Sequence, residues 1–149
     1  MQISESIEIV KPTAIVWLAI TGIENSSDWI SNIISIEIIE KPKKGVVGLK
    51  WKEIRKFCGK EVTEVMWVTD SVEHDYYCSR AESHGSVYTS RISRKESNGV
   101  TTLTISFTGE PQTLMARFLS TIMNRFIIKS LGKELRKDLS DIKKHVEQS

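Results

Sequence analysis

Only two cysteines occur in the 149 residues, Cys58 and Cys78. They lie far apart without metal-ligand spacing, which excludes a disulfide framework or a cysteine zinc site. Both are read as free thiols in a reducing cytoplasm. Neither has an adjacent histidine that would make it a nucleophile. The three histidines, His74, His84 and His145, have no partner at useful spacing, so they are read as surface residues and no metal is expected. Phosphate-loop, dinucleotide and serine-nucleophile motifs are missing, and no cofactor is expected. No apolar run approaches the roughly 20 residues of a membrane span. "MQISESIEIV" has neither the basic start nor the apolar stretch of a signal peptide. The formal charge of +2 is too small to argue for a polyanionic partner. "KPKKG" (41–45) is the one short basic cluster and is read as a solvated loop, so no nucleic acid is expected. No repeat and no Pro/Gly-rich linker divides the chain, which predicts one domain over 1–149.

What is present suits a globular fold, with 40% hydrophobic and 27% charged residues. A chain of this size buries about 68–70% of its unfolded surface. "ISESIEIV" (3–10) puts Ile3, Ile7 and Ile9 on one face and reads as a strand. Pro12 suits the first turn of a helix over "TAIVWLAI", which Gly22 closes. "NSSDWIS" offers Ser and Asp caps for a second short helix carrying Trp29. "IISIEIIE" (33–40) is a β-branched strand ending at Lys41-Pro42. From Val46 to Gly109 five strands follow, separated by turns at Cys58-Gly59, at the polar stretch 70–73, at His84-Gly85 and at Asn98-Gly99. After "TGEPQ" the apolar period lengthens. Leu114, Met115, Phe118, Leu119, Ile122, Phe126, Ile127, Leu131, Leu135, Leu139, Ile142 and Val146 mark one long amphipathic helix, which Gly132 is able to bend. The apolar arc is wider in its first half, which is expected to face the sheet more deeply.

The turn residues also set registers. A two-residue turn at Cys58-Gly59 pairs Phe57 with Lys60, Arg55 with Val62, Glu53 with Glu64 and Trp51 with Met66. Opposite residues share a face, so the lysine-rich set (Lys50, Lys52, Lys56) lies in water and Glu53, Arg55 and Glu64 point inward. The next turns pair Tyr77 with Ile92, Ser79 with Ser90, Ala81 with Tyr88 and Ser90 with Phe107. A slip of one residue would reverse each strand. The inward charges are either a compensated ion cluster or the polar wall of a partly wet cavity.

With this element order in place, the chain resembles the START/Bet v 1-like (SRPBCC) superfamily, nearest to the polyketide cyclase/dehydrase and lipid transport group. The resemblance rests on "VKPTAIVWLAITGIENSSDWI", on Gly48 opening the third strand, and on the long C-terminal helix. It covers nearly the whole chain. It implies an α+β helix-grip fold, a curved seven-stranded antiparallel sheet wrapped around the C-terminal helix with two short helices between strands 1 and 2. It also implies a hydrophobic ligand cavity between sheet and helix, and it carries over no catalytic residue.

The candidate ligand-binding residues are Trp51, Glu53, Arg55, Glu64, Met66, Tyr77, Tyr88, Ser90, Phe107, Met115, Phe118 and Ile122. The first functional reading is binding or transport of a small hydrophobic molecule (lipid, isoprenoid/quinone or aromatic) by a cytoplasmic monomer or homodimer. The second is a cyclase/dehydratase-type enzyme with Glu53 or Glu64 as acid-base, since carboxylates in an apolar pocket have raised pKa values. The third is an interaction module with a vestigial cavity and a binding face around Trp67.

Overall fold

Seven strands form one antiparallel sheet in the order β1-β7-β6-β5-β4-β3-β2. The computed structural model describes residues 1–148, without the side chains of residues 122–124. The strands are β1 (Gln2–Ile9), β2 (Ile33–Glu40), β3 (Lys50–Phe57), β4 (Lys60–Val72), β5 (Tyr76–Ser83), β6 (Ser86–Ser97) and β7 (Val100–Pro111). Helix α1 (Thr13–Thr21) and a 3₁₀ helix (Ile23–Asp28) join β1 to β2, the two edge strands, and α2 (Leu114–Glu147) closes the chain. The sheet curves around α2, which is the expected helix-grip architecture.

The hairpin registers follow the turn residues. Phe57 opposes Lys60, Arg55 opposes Val62, Glu53 opposes Glu64 and Trp51 opposes Met66. Tyr77 opposes Ile92 and Ala81 opposes Tyr88, while Ser90 opposes Phe107. Both residues of the Cys58-Gly59, His84-Gly85 and Asn98-Gly99 turns have positive φ, the geometry that matches the right-handed twist of the flanking strands. The fourth connection lies slightly later than the polar stretch suggested. β4 runs on to Val72, and His74, at φ 63°, turns the chain. β2 pairs with β3 irregularly, with an extra residue at Ile34 and another at Ile39. These breaks let Ile33, Ile36 and Ile38 turn toward the interior while Ile34 and Ile39 stay exposed.

Pro12 stands at the N-cap of α1, and Gly22 at its C-cap donates its N–H to the Ala19 carbonyl. The second short helix differs from expectation. It is 3₁₀ rather than α, starts at Ile23 without a side-chain cap, and ends before Trp29. The Ser hydroxyl that was to cap it, Ser26, instead donates back to the Ile23 carbonyl, a local bond that competes with cap geometry. Trp29 is held beyond the helix by stacking on His145, with ring centroids 4.6 Å apart.

The two halves of α2 are used in the reverse of the expected sense. Leu139, Ile142 and Val146 join Ile9, Val16, Trp17, Ile20 and Leu103 in the main core. Leu114, Met115, Phe118 and Phe126 are 84%, 73%, 65% and 64% exposed. Through the middle of the helix one flank (Ile127, Leu131, Leu135) lines a cavity, while those apolar residues of the first half point outward. A wide apolar arc therefore does not signal deeper burial here, since the main core draws its helix residues from Leu139, Ile142 and Val146. Gly132 is buried where α2 crosses β1. A Cβ there would lie 3.0 Å from Ile3 Cδ1, so the glycine allows close approach of helix and strand. Arg136 covers the inward-facing Glu5 of β1 with a 2.7 Å ion pair.

This division of α2 predicts unequal costs for truncation. Leu139→Ala should destabilise the protein by about 2–5 kcal/mol, and Leu114→Ala by no more than about 0.5 kcal/mol. Urea midpoints at constant m-value will measure both, and similar losses for the two variants would contradict the arrangement.

Candidate functional site

The concave face of the sheet is read across its strands as rows. Trp51 opposes Met66, Met66 opposes Ala81, Ala81 opposes Tyr88 and Tyr88 opposes Gly109. This inward row of large and small side chains leaves room that no core residue fills. Ile20, Ile23 and Ser26 from the α1 and 3₁₀ region close one side, followed by Trp29, Ile30 and Ile33. Ile127, Leu131 and Leu135 of α2 close another. The cavity, partly open to solvent, measures about 750 Å³, within the 300–1,000 Å³ usual for small-molecule sites.

Its polar wall is a charge cluster that joins β3 to α2. Arg55 donates from Nε to Glu53 Oε2 at 2.8 Å, and from Nη1 and Nη2 to Asp138 Oδ2 at 3.1 Å each. Trp51 Nε1 donates to the other Glu53 oxygen at 3.4 Å. Asp138 is 7% exposed, and its Oδ1 is buried without a hydrogen-bond partner. Burial pushes the Asp138 carboxyl up to about 6 despite the neighbouring guanidinium. Arg55 is held above its ordinary value by its two carboxylates, although burial opposes its charge, so it stays charged. Beside Asp138 on α2, Glu134 accepts from Asn32 Nδ2 at 2.6 Å. Glu64, opposite Glu53 on β4, makes no hydrogen bond or ion pair among the described residues. Burial, together with the Glu53 charge, raises its carboxyl above the usual range.

Nine of the twelve candidate residues line this one cavity: Trp51, Glu53, Arg55, Glu64, Met66, Tyr77, Tyr88, Ser90 and Phe107. Met115 and Phe118 do not, since they sit on the outward flank of α2. The Ile122 side chain lies outside the described residues. Tyr77 spends its hydroxyl on the Ile20 carbonyl at 3.1 Å, and burial raises its phenol well above the ordinary value, so it is a neutral structural donor. Tyr88 stacks on Phe107 at 5.7 Å. Asp138 and Glu134 were missed by sequence reasoning. The signal was present: position 138 falls within the stripe Leu131, Leu135, Leu139 and Ile142, where a carboxylate at a core-facing position calls for a partner. Among the described residues no group of three metal-ligating side chains converges. No helix among them is long and apolar enough to cross a membrane.

Solved structures align with the described fold over almost its full length. A START superfamily protein from Mycobacterium smegmatis superposes with a TM-score of 0.82 at 15% identity, covering 99% of this chain and 97% of that one. The chain has the helix-grip fold of the START/Bet v 1-like superfamily. Two further helix-grip proteins extend the comparison. The Zhui aromatase/cyclase from Streptomyces sp. R1128 gives 0.72 at 12% identity, covering 99% and 94%. Ara h 8.0201 gives 0.72 at 14% identity, covering 100% and 99%. No family model and no curated protein sequence matches this chain.

The buried carboxyl in this helix-grip site gives a pH signature. An ordinary aspartate value is 3.8, and Asp138 in the folded state sits at about 6, so the native protein binds this proton more tightly than the unfolded chain does. Asp138 therefore adds stability at low pH, and that contribution is lost as pH rises from 3.8 to about 6. Asp141, Glu96 and Glu147 are shifted downward by hydrogen bonds and ion pairs and act in the opposite sense. The stability difference between wild type and Asp138→Asn isolates the effect. Across that interval the wild type should lose stability relative to the variant in urea unfolding, and a flat difference would refute the assignment.

Proposed function

We propose that this protein binds a small, largely hydrophobic molecule in the cavity between sheet and α2, as a carrier or sequestering protein rather than as an enzyme. The observation that carries the reading is the cavity itself. About 750 Å³ is lined by apolar and aromatic side chains with one charged wall, a combination suited to a ligand with an apolar body and one polar group. The apolar body would lie against Trp51, Met66, Phe107 and Leu131, and the polar group near Glu64, Tyr88 and the Arg55 cluster. The fold shared with an aromatase/cyclase and a START superfamily protein is consistent with this use of the interior.

Glu64 gives specific support to a second reading, catalysis of the cyclase/dehydratase type. A half-buried carboxyl without a hydrogen-bond partner and with a raised pKa is available for proton transfer. Glu53 is less suited to that role, because Arg55 and Trp51 engage both of its oxygens. Under this reading Glu64→Gln binds substrate but loses turnover by about 10²-fold or more.

The test is native mass spectrometry of freshly purified protein, with solvent extraction of anything released, alongside the Ser90→Phe variant. Ser90 faces the cavity from β6, so a phenyl ring there fills ligand space without touching the charge cluster. Wild type should carry, or take up, a stoichiometric hydrophobic molecule that the variant does not retain. Equal uptake by both proteins would place the ligand elsewhere and end the cavity reading.

A further inference from the structure

The sign of the charge on the cavity wall narrows the ligand class, an inference that rests on the cavity-binding reading above. Four carboxylates line the cavity, Glu53, Glu64, Glu134 and Asp138, against one guanidinium, Arg55. That guanidinium is already engaged. It spans Glu53 and Asp138 through three donated hydrogen bonds, and an anionic ligand would have to share it with two carboxylates already in place. The terminal ammonium of Met1, the other cationic group on the lining, donates to the Gly109 carbonyl at 3.2 Å. What is left without a partner is acceptor capacity: the whole Glu64 carboxyl and Asp138 Oδ1. The remaining wall supplies aromatic rings, Trp29, Trp51, Tyr77, Tyr88 and Phe107. Ring faces attract a cation and not an anion, most strongly where water is excluded.

From the carboxylate excess, the engaged arginine and the aromatic wall, we infer that the cavity is built for a hydrophobic organic cation, a protonated amine or a quaternary ammonium, and discriminates against carboxylates and phosphates. A cation entering the acidic end supplies the counter-charge that the protein leaves out, while an anion adds to an existing excess of like charge. Burial and the Glu53 charge hold the Glu64 carboxyl up against the pull of Arg55, and a bound cation would draw it down further.

The experiment uses three probes of one shape on the full chain: naphthylmethylamine, naphthylmethanol and naphthoate, titrated calorimetrically at neutral pH. The amine should bind more tightly than the alcohol, and at least roughly tenfold more tightly than naphthoate. Glu64→Gln, which changes a half-exposed residue outside the buried ion pairs, should narrow the gap between amine and naphthoate while leaving the alcohol unchanged. Asp138→Asn should narrow it as well, and circular dichroism will confirm that each variant is folded. Naphthoate binding as tightly as the amine overturns the inference and leaves the cavity reading standing. So does a gap that Glu64→Gln leaves intact. If none of the three probes binds, the cavity reading falls and this inference falls with it.

Discussion

Arg55 is the cationic side chain on the cavity lining among the described residues, largely withdrawn from solvent, and it must be neutralised where it lies. Glu53 does this from the same strand and Asp138 from the helix on the far side of the cavity. Leaving one member of such a set without its partner costs about 3–5 kcal/mol, whereas replacing the whole set with apolar groups is often neutral or favourable. The cluster is thus a poor device for raising stability and a good one for fixing geometry. It ties β3 to α2 across the cavity, while Gly132 and Arg136 hold the same helix against β1.

With the helix held there, its two halves take on different work. The second half contributes Leu139, Ile142 and Val146 to a dry core shared with α1 and the ends of β1 and β7. The cavity flank runs from Ser120 through Ile127, Leu131 and Leu135, and the first half leaves Leu114, Met115, Phe118 and Phe126 in solvent. Arg117, Arg125 and Lys129, all exposed, keep that outer flank hydrated between its apolar residues.

Much of the sheet was legible because each hairpin carries its own turn residues. Cys58-Gly59, His84-Gly85 and Asn98-Gly99 fix pairings that propagate two residues at a time along each strand, and the inward set at the β3–β4 hairpin follows without further information. That is why Glu53, Arg55 and Glu64 were placed on the inward face from sequence. The helix was less readable. Periodicity shows which residues share a flank but not where along 34 residues the sheet comes into contact, so Met115 and Phe118 were assigned to the wrong side of the wall. Asp138 escaped because a lone carboxylate in an apolar stripe acquires meaning only once its partner, 83 positions away in the chain, is known. The 3₁₀ helix was misread for a local reason, since serine hydroxyls satisfy backbone groups in several geometries and α-helical capping is only one of them.

β2 has a further consequence for how the protein behaves among copies of itself. It is an edge strand rich in isoleucine, the kind of surface on which a second chain could add a strand of its own. The two extra residues at Ile34 and Ile39 interrupt its outer row of hydrogen-bonding groups. A neighbouring molecule finds no uninterrupted run on which to align. The same irregularities that sort isoleucines between interior and solvent therefore also guard against edge-to-edge aggregation, at the cost of a few ladder hydrogen bonds within the sheet.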